Sequence, residues 1–424
     1  MGAVKVDQIG AGGRLVTDAD VKLTFGQRVD VITRYLPEAY IQQVGAQRVL
    51  RIGDDALLVR QIHHLGHPWP GFKKRIQIPR QWVQVHDLLT ESGIRARFIG
   101  LYHYGDTTIL VDFDPATYVR RKANNSAAHV ATNDLFQAQV QGSFSRVDRG
   151  GNRITSVRAD AFADYLRTDD VARSPHLDIL QQFNTVFLDG QMTPAMTAVR
   201  RMHQARWPDT FQAEWPGFYL EHRLAQFLTA GGHTDQVQYL KNKVRGGYDY
   251  DLRFREAGEG GATAHFGDLK ASDHAQTETP GNDAASVQAC VEQYGKFWFV
   301  IYEHQTWKAR DNDDVATIEW NRWRREAGYT SRSGFSEMSY ARRFKEAVRF
   351  FSMKVLEVNT ANFHTVLGEF SQGRQPSGDG RALKVMIHKD RIDNFLVHSH
   401  QVPVPEPAPL TSRHLAPTTV DTLW

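Results

Sequence analysis

Two short segments of this chain, Tyr248–Phe254 and Ala264–Ser272, flank the glycine-rich stretch Glu256-Ala257-Gly258-Glu259-Gly260-Gly261. Successive side chains of a strand point to opposite faces. In the upstream segment Tyr248, Tyr250, Leu252 and Phe254 fall on one face, and Asp249, Asp251 and Arg253 on the other. In the downstream segment Asp268 and Lys270 share a face with Phe266. The glycines between them predict a hairpin turn. A hairpin sets the segments side by side and gathers Asp251, Asp268 and Lys270 into one cluster.

That cluster has a chemical use. Carboxylates suit Mg²⁺, a hard cation usually held by one or two carboxylates plus phosphate oxygens and water. A metal so held polarises a phosphodiester and acidifies an attacking water. A neighbouring lysine can orient or deprotonate that water and offset charge on the phosphate. An isolated Asp-x-Lys is common by chance and reads as a solvated surface; here the paired strands and their flanks carry the argument.

The flanking elements follow a definite order. Phe218–Leu228 predicts a helix, introduced by Trp215-Pro216-Gly217 and ended at Gly231-Gly232. Gln236–Lys243 predicts a first strand, with Val237 and Tyr239 on one face, before the two motif strands. Ala284–Gly295 predicts a second helix, and Phe297-Trp298-Phe299-Val300-Ile301-Tyr302 a buried strand. From Trp215 to Glu303 this pattern resembles the core of the PD-(D/E)xK nuclease superfamily, whose elements run αβββαβ around a mixed central sheet. The resemblance implies an α/β (α+β) restriction-endonuclease-like core. Asp251 matches the first metal-binding acid, Asp268 the second and Lys270 the lysine, while Glu221 matches a position that often carries a supporting glutamate. No proline precedes Asp251, so Asp249 is a rival first ligand; Asp251 is preferred because Leu252-Arg253-Phe254 continues the strand behind it. Glu221 reads equally as an exposed helix acid.

The rest of the chain is consistent with a two- or three-domain protein of 424 residues, 41% hydrophobic and 23% charged. No run approaches the ~18 apolar residues needed to span a bilayer, and the N-terminus lacks the pattern of a secretory signal. The single cysteine, Cys290, excludes internal disulfides and predicts packing on a buried helix. A cytoplasmic protein with no membrane partner is expected. Net charge is only +3, but basic residues cluster at Lys73-Lys74-Arg75, at Arg120-Arg121-Lys122, at Arg322, Arg324 and Arg325, and at Arg342 and Arg343. Such clusters bind phosphate and release counterions, although each alone also reads as a solvated face. Asn124 and Asn125 fall in the polar stretch Asn124–Val130, expected as a loop able to read base edges. His63, His64 and His67 have no further ligand in sight and are taken as incidental.

Residues 1–165 are expected to form an additional α+β or mainly β domain for DNA recognition or an effector role, 166–214 a helical connector, 215–400 the nuclease domain and 401–424 a proline-rich tail. Tyr340, Phe344, Ala347, Val348, Phe351 and Val355 recur at helical spacing and predict a helix with Arg342 and Arg343 off its buried stripe. The glycine-rich stretch 370–381 lacks the Lys-Ser/Thr ending of a phosphate-binding loop, so no nucleotide cofactor is expected. The resemblance thus implies a type II restriction endonuclease: a homodimer that cuts double-stranded DNA with Mg²⁺, Mn²⁺ being an acceptable substitute. Two other readings remain at this point: a DNA-binding protein without catalysis, and a repair nuclease of the same fold acting on ends or structures.

Overall fold

The computed structural model describes residues 5–120, 125–148, 152–168, 174–208, 210–240, 250–256, 258, 260–309, 315–328, 344–370, 382–392 and 395–403. The chain is a mixed α/β protein of two compact units. The first comprises 1–173, 358–366 and 390–399; the second comprises 174–357, 367–389 and 400–424.

In the first unit, Asp55–Gln61 and Arg95–Tyr104 run parallel, joined through a crossover that includes the helix Arg80–Glu91. The other neighbours in this seven-stranded sheet are antiparallel, in the order Ser143–Val147, Arg153–Arg158, Thr107–Phe113, Arg95–Tyr104, Asp55–Gln61, Gln47–Ile52, Tyr40–Val44. The central strands are buried along nearly their whole length, because helices cover both faces. Trp82, Val85 and Leu89 of the crossover helix pack with Phe98 and Phe113. Ile32, Phe162 and Leu166 pack with Leu57, Ile99 and Leu110. A smaller sheet is ordered Asn125–Ala131, Lys73–Pro79, His63–His64.

In the second unit the sheet runs Thr193–Pro194, Lys345–Asn359, Lys296–Lys308, Thr263–Asp273, Leu252–Arg255, Val237–Tyr239. The last three are joined antiparallel. Thr263–Asp273 and Lys296–Lys308 are parallel, which requires a crossover, and the helix Ala284–Tyr294 lies within it. Gly295, at φ 77°, ends that helix. Cys290 is buried on it, as expected. With the helix Trp215–Ala230 ahead of them, these elements run helix, three strands, helix, strand, with the short strand Glu278–Asp283 inserted before the second helix. Phe183 and Phe187 of the helix Pro175–Phe187 meet Tyr302 edge-on, and Tyr302 donates to Asn184 Oδ1 at 2.8 Å.

Two expectations need correction. The helix predicted around 340–355 is the strand Lys345–Asn359. Most of that strand is buried on both faces, so apolar residues occur at every spacing, helical spacing included. The loop predicted over Asn124–Val130 is a strand from Asn125, in which buried Ala128 and Val130 alternate with Ala127 and His129. Of the segment 166–214, the part from Ser174 falls in the second unit and forms the helices Pro175–Phe187 and Ala195–Gln204. Within 215–400, the segments 358–366 and 390–399 fall in the first unit. Residues 371–381 and 404–424 lie outside the described residues, and with them most of the glycine-rich stretch and of the tail. Among the described residues no helix is long and apolar enough to cross a membrane.

Candidate active site

The hairpin forms as the alternation predicts. Leu252 pairs with Gly267, Arg253 with Phe266 and Phe254 with His265. In the turn, Gly258 and Gly260 take φ of 119° and 73°, which L side chains rarely adopt. Gly267 meets a different need. A Cβ there would lie 2.7 Å from the Trp298 carbonyl oxygen and 2.9 Å from the Phe254 ring, so only glycine lets the two neighbouring strands close around it.

Asp251 stands one residue before the Leu252–Gly267 pair, which sets it across from Asp268. Its Oδ2 accepts a hydrogen bond from the Leu269 backbone N–H at 3.0 Å. Asp268 is buried, and its carboxyl is in hydrogen-bonding contact with that of Asp251. Lys270 Nζ lies 2.7 Å from Asp268 Oδ2, with a quarter of the lysine side chain exposed. Glu221 on the helix Trp215–Ala230 accepts a 2.5 Å hydrogen bond from Tyr239 OH, and its charge is felt at Lys270.

The electrostatics follow from this crowding. Burial, reinforced by Asp251 alongside, pushes the Asp268 carboxyl well above the usual carboxylate range despite the Lys270 ammonium. Burial by itself would lower Lys270, but the carboxylates of Asp268 and Asp251 outweigh it and hold the ammonium up. Burial and then Glu221 push the Tyr239 hydroxyl up, so it stays protonated and can donate.

Asp251 and Asp268 are the residues that could hold a divalent cation. Two carboxyls contend for one site, one of them in the interior, and a hard cation would relieve the resulting excess of negative charge. Among the described residues no group of three or more His, Cys, Asp or Glu forms a ready-made metal cage.

The sequence reading brought together Asp251, Asp268, Lys270 and Glu221, and these are neighbours. It missed Tyr239 as the partner of Glu221; the only signal was its place on the first strand of the sheet. Asp249 lies outside the described residues.

The candidate DNA contacts fall in both units. Arg120 is exposed at the end of the helix Pro115–Val119, while Arg121, Lys122 and Asn124 lie outside the described residues. Asn125 opens its strand opposite Pro79. Lys74, expected in a phosphate-binding cluster, is instead buried and lies 3.8 Å from Asp20 Oδ1. On the helix Val315–Glu326, Arg322 reaches Glu319 and Glu326 at 4.0 and 3.9 Å, Arg324 lies over the Trp320 ring at 5.9 Å, and Arg325 is exposed. Arg342 and Arg343 lie outside the described residues.

No curated protein and no solved structure matches the chain. One family does match a part of it: residues 56–166, in the first unit, match the family described as Methylase-associated X1.

Proposed function

We propose that this chain is a Mg²⁺-dependent, sequence-specific endonuclease of double-stranded DNA that works beside a DNA methylase, as in a restriction–modification system. The observation that carries the reading is the convergence of Asp251, Asp268 and Lys270 on two adjacent strands, with Lys270 Nζ 2.7 Å from Asp268 Oδ2. The resemblance of 215–303 to the PD-(D/E)xK nucleases adds to it. So does the match of 56–166 to a family named for its association with methylases.

In this reading Asp251 and Asp268 hold Mg²⁺, or Mn²⁺ in its place. The cation, when bound, polarises the phosphodiester and acidifies the attacking water. Lys270, a quarter of whose side chain is exposed, orients that water and offsets charge on the phosphate. The water attacks phosphorus and the bond to the 3′ oxygen breaks, leaving a 3′-hydroxyl and a 5′-phosphate. Tyr239 holds Glu221 in place, and Glu221 adds to the negative potential, set mainly by Asp268 and Asp251, that keeps Lys270 charged. Cutting both strands at a symmetric site calls for two copies of the chain, so the acting species in this proposal is a homodimer.

The test is digestion of unmodified phage and plasmid DNA in Mg²⁺ and in EDTA. Discrete fragments that depend on Mg²⁺ support the proposal. DNA that stays intact on every unmodified template, at protein concentrations that saturate binding, contradicts it.

A further inference from the structure

One face of the small sheet in the first unit has a composition the catalytic reading does not use. Along Lys73–Pro79, buried Lys74, Ile76 and Ile78 alternate with Lys73, Arg75 and Gln77, which point outward. On the neighbouring strand Ala127 sits opposite Gln77 and exposed His129 opposite Arg75; on the other side His63 is opposite Arg75. The three strands carry no Asp or Glu. Nearby Asp20 accepts from the His64 backbone N–H at 2.8 Å and lies 3.8 Å from buried Lys74.

At the end of this face stands Trp69, 49% exposed, with the Lys73 ammonium 4.6 Å from its ring centre. The loop that presents it is pinned. His64 Nε2 lies 3.0 and 2.9 Å from the carbonyl oxygens of Trp69 and Pro70, and His64 Nδ1 accepts from the Gly66 backbone N–H at 3.0 Å. One neutral tautomer, protonated at Nε2, satisfies all three. The Trp69 N–H donates to the Gly66 carbonyl at 2.9 Å and the Lys73 N–H to the Pro70 carbonyl at 3.0 Å. A large aromatic ring held out to water on a hydrogen-bonded loop loses little freedom when something stacks on it.

We infer that this face is a DNA-binding platform on which Lys73 and Arg75 engage the phosphodiester backbone and Trp69 stacks on an unpaired base. Cations without neighbouring carboxylates complement phosphate. The small side chain of Ala127, on the edge strand opposite Gln77, lets the backbone approach. An exposed indole adds nothing to a perfectly stacked duplex but offers a platform to a base out of the stack. The inference shares with the proposed function only DNA as the partner. It concerns binding in the first unit and stands or falls without cleavage.

The test is fluorescence anisotropy of the full chain in EDTA, which silences metal chemistry, with labelled DNA as a single strand, a perfect duplex and a duplex carrying a short unpaired stretch. Wild type is expected to prefer the two substrates with unpaired bases. Trp69→Ala is expected to weaken those two by about 5- to 150-fold and to leave the perfect duplex nearly unchanged. Trp69→Phe should recover part of the loss. The double variant Lys73→Ala, Arg75→Ala is expected to weaken every substrate and make the single-strand salt dependence shallower by about 1.4 in the log–log slope. Gln77→Glu, at an exposed position that folding does not need, places a carboxylate on the face and should weaken binding about fivefold. Equal affinity of wild type and Trp69→Ala for all three DNAs overturns the stacking role. An unchanged salt slope in the double variant together with full binding by Gln77→Glu overturns the platform.

Discussion

Two ionic clusters, one in each unit, are built from the same kinds of residue and balanced differently. In the first unit Asp55 accepts from Arg95 at 2.6 and 2.8 Å and from Arg97 at 2.7 Å. Arg97 also donates to Asp112 at 2.6 Å, and Tyr165 OH to the same oxygen at 2.9 Å. Two carboxylates meet two guanidiniums, with the hydrogen bonds shared among them. In the second unit Asp268 is buried beside Asp251, 2.7 Å from the Lys270 ammonium, and its carboxyl is pushed well above its ordinary range. A guanidinium-paired network serves the fold. A buried carboxyl pressed against a second one holds a proton that a metal ion can replace, and on this contrast the functional reading rests.

The contrast can be broken most sharply at Asp268. Asp268→Ala is expected to abolish cleavage, a loss of at least about 10³-fold given the weight of metal and acid–base catalysis, and to remove the tightening of DNA binding by divalent metal. Gel shifts in Ca²⁺ and in EDTA check the second point. Metal-dependent tightening that survives the change would place the cation elsewhere.

Arg97 probes the balanced side. Removing one partner of a buried pair leaves the other uncompensated, so Arg97→Leu should cost about 3–5 kcal/mol in urea unfolding. Its residual folded fraction should keep the wild-type metal requirement. A loss under 1 kcal/mol would mean that the network contributes little.

The raised carboxyl of Asp268 also sets a pH response. A cation must displace the proton that Asp268 holds, so Mn²⁺ affinity should rise with pH, about tenfold per unit while Asp268 remains protonated. The sign for stability is the reverse. A carboxyl whose folded pKa is raised favours the folded state at low pH, and that contribution is lost as pH rises through its folded pKa. Asp268→Asn should therefore flatten the decline of metal-free stability between the ordinary carboxylate range and the raised one. Unfolding curves at several pH values in EDTA test this, and a decline that persists in Asp268→Asn would contradict it.

The smallest expected effect belongs to Tyr239→Phe. It removes the 2.5 Å hydrogen bond to Glu221, and a bond to a charged group of this kind is worth about a tenfold change in rate. DNA binding should be unchanged. No change in rate would make Glu221 a bystander.

The parts of this account that were legible in the sequence share a property. Leu252–Arg255 and Thr263–Asp273 each lie in a segment with a two-residue alternation, and glycines mark the turn between them. Alternation and punctuation are local, so they can be read without the fold. Lys345–Asn359 could not be read that way, because a strand covered on both faces shows no period of two. Asn125–Ala131 is short and alanine-rich, and its strand character comes from pairing with Lys73–Pro79. Lys74 looked like a surface charge until its strand placed it inward beside Asp20. Tyr239 became visible as part of the site only through its contact with a helix that precedes it in the chain. Period and turn chemistry are written along the sequence, whereas burial and partnership depend on what the rest of the chain does.

The most direct measurement compares wild type and Lys270→Ala on the same unmodified duplex DNA in Mg²⁺, at concentrations that give equal occupancy in Ca²⁺ gel shifts. The account predicts discrete cleavage products from wild type and none from Lys270→Ala at equal binding. Cleavage by Lys270→Ala at the wild-type rate would contradict it.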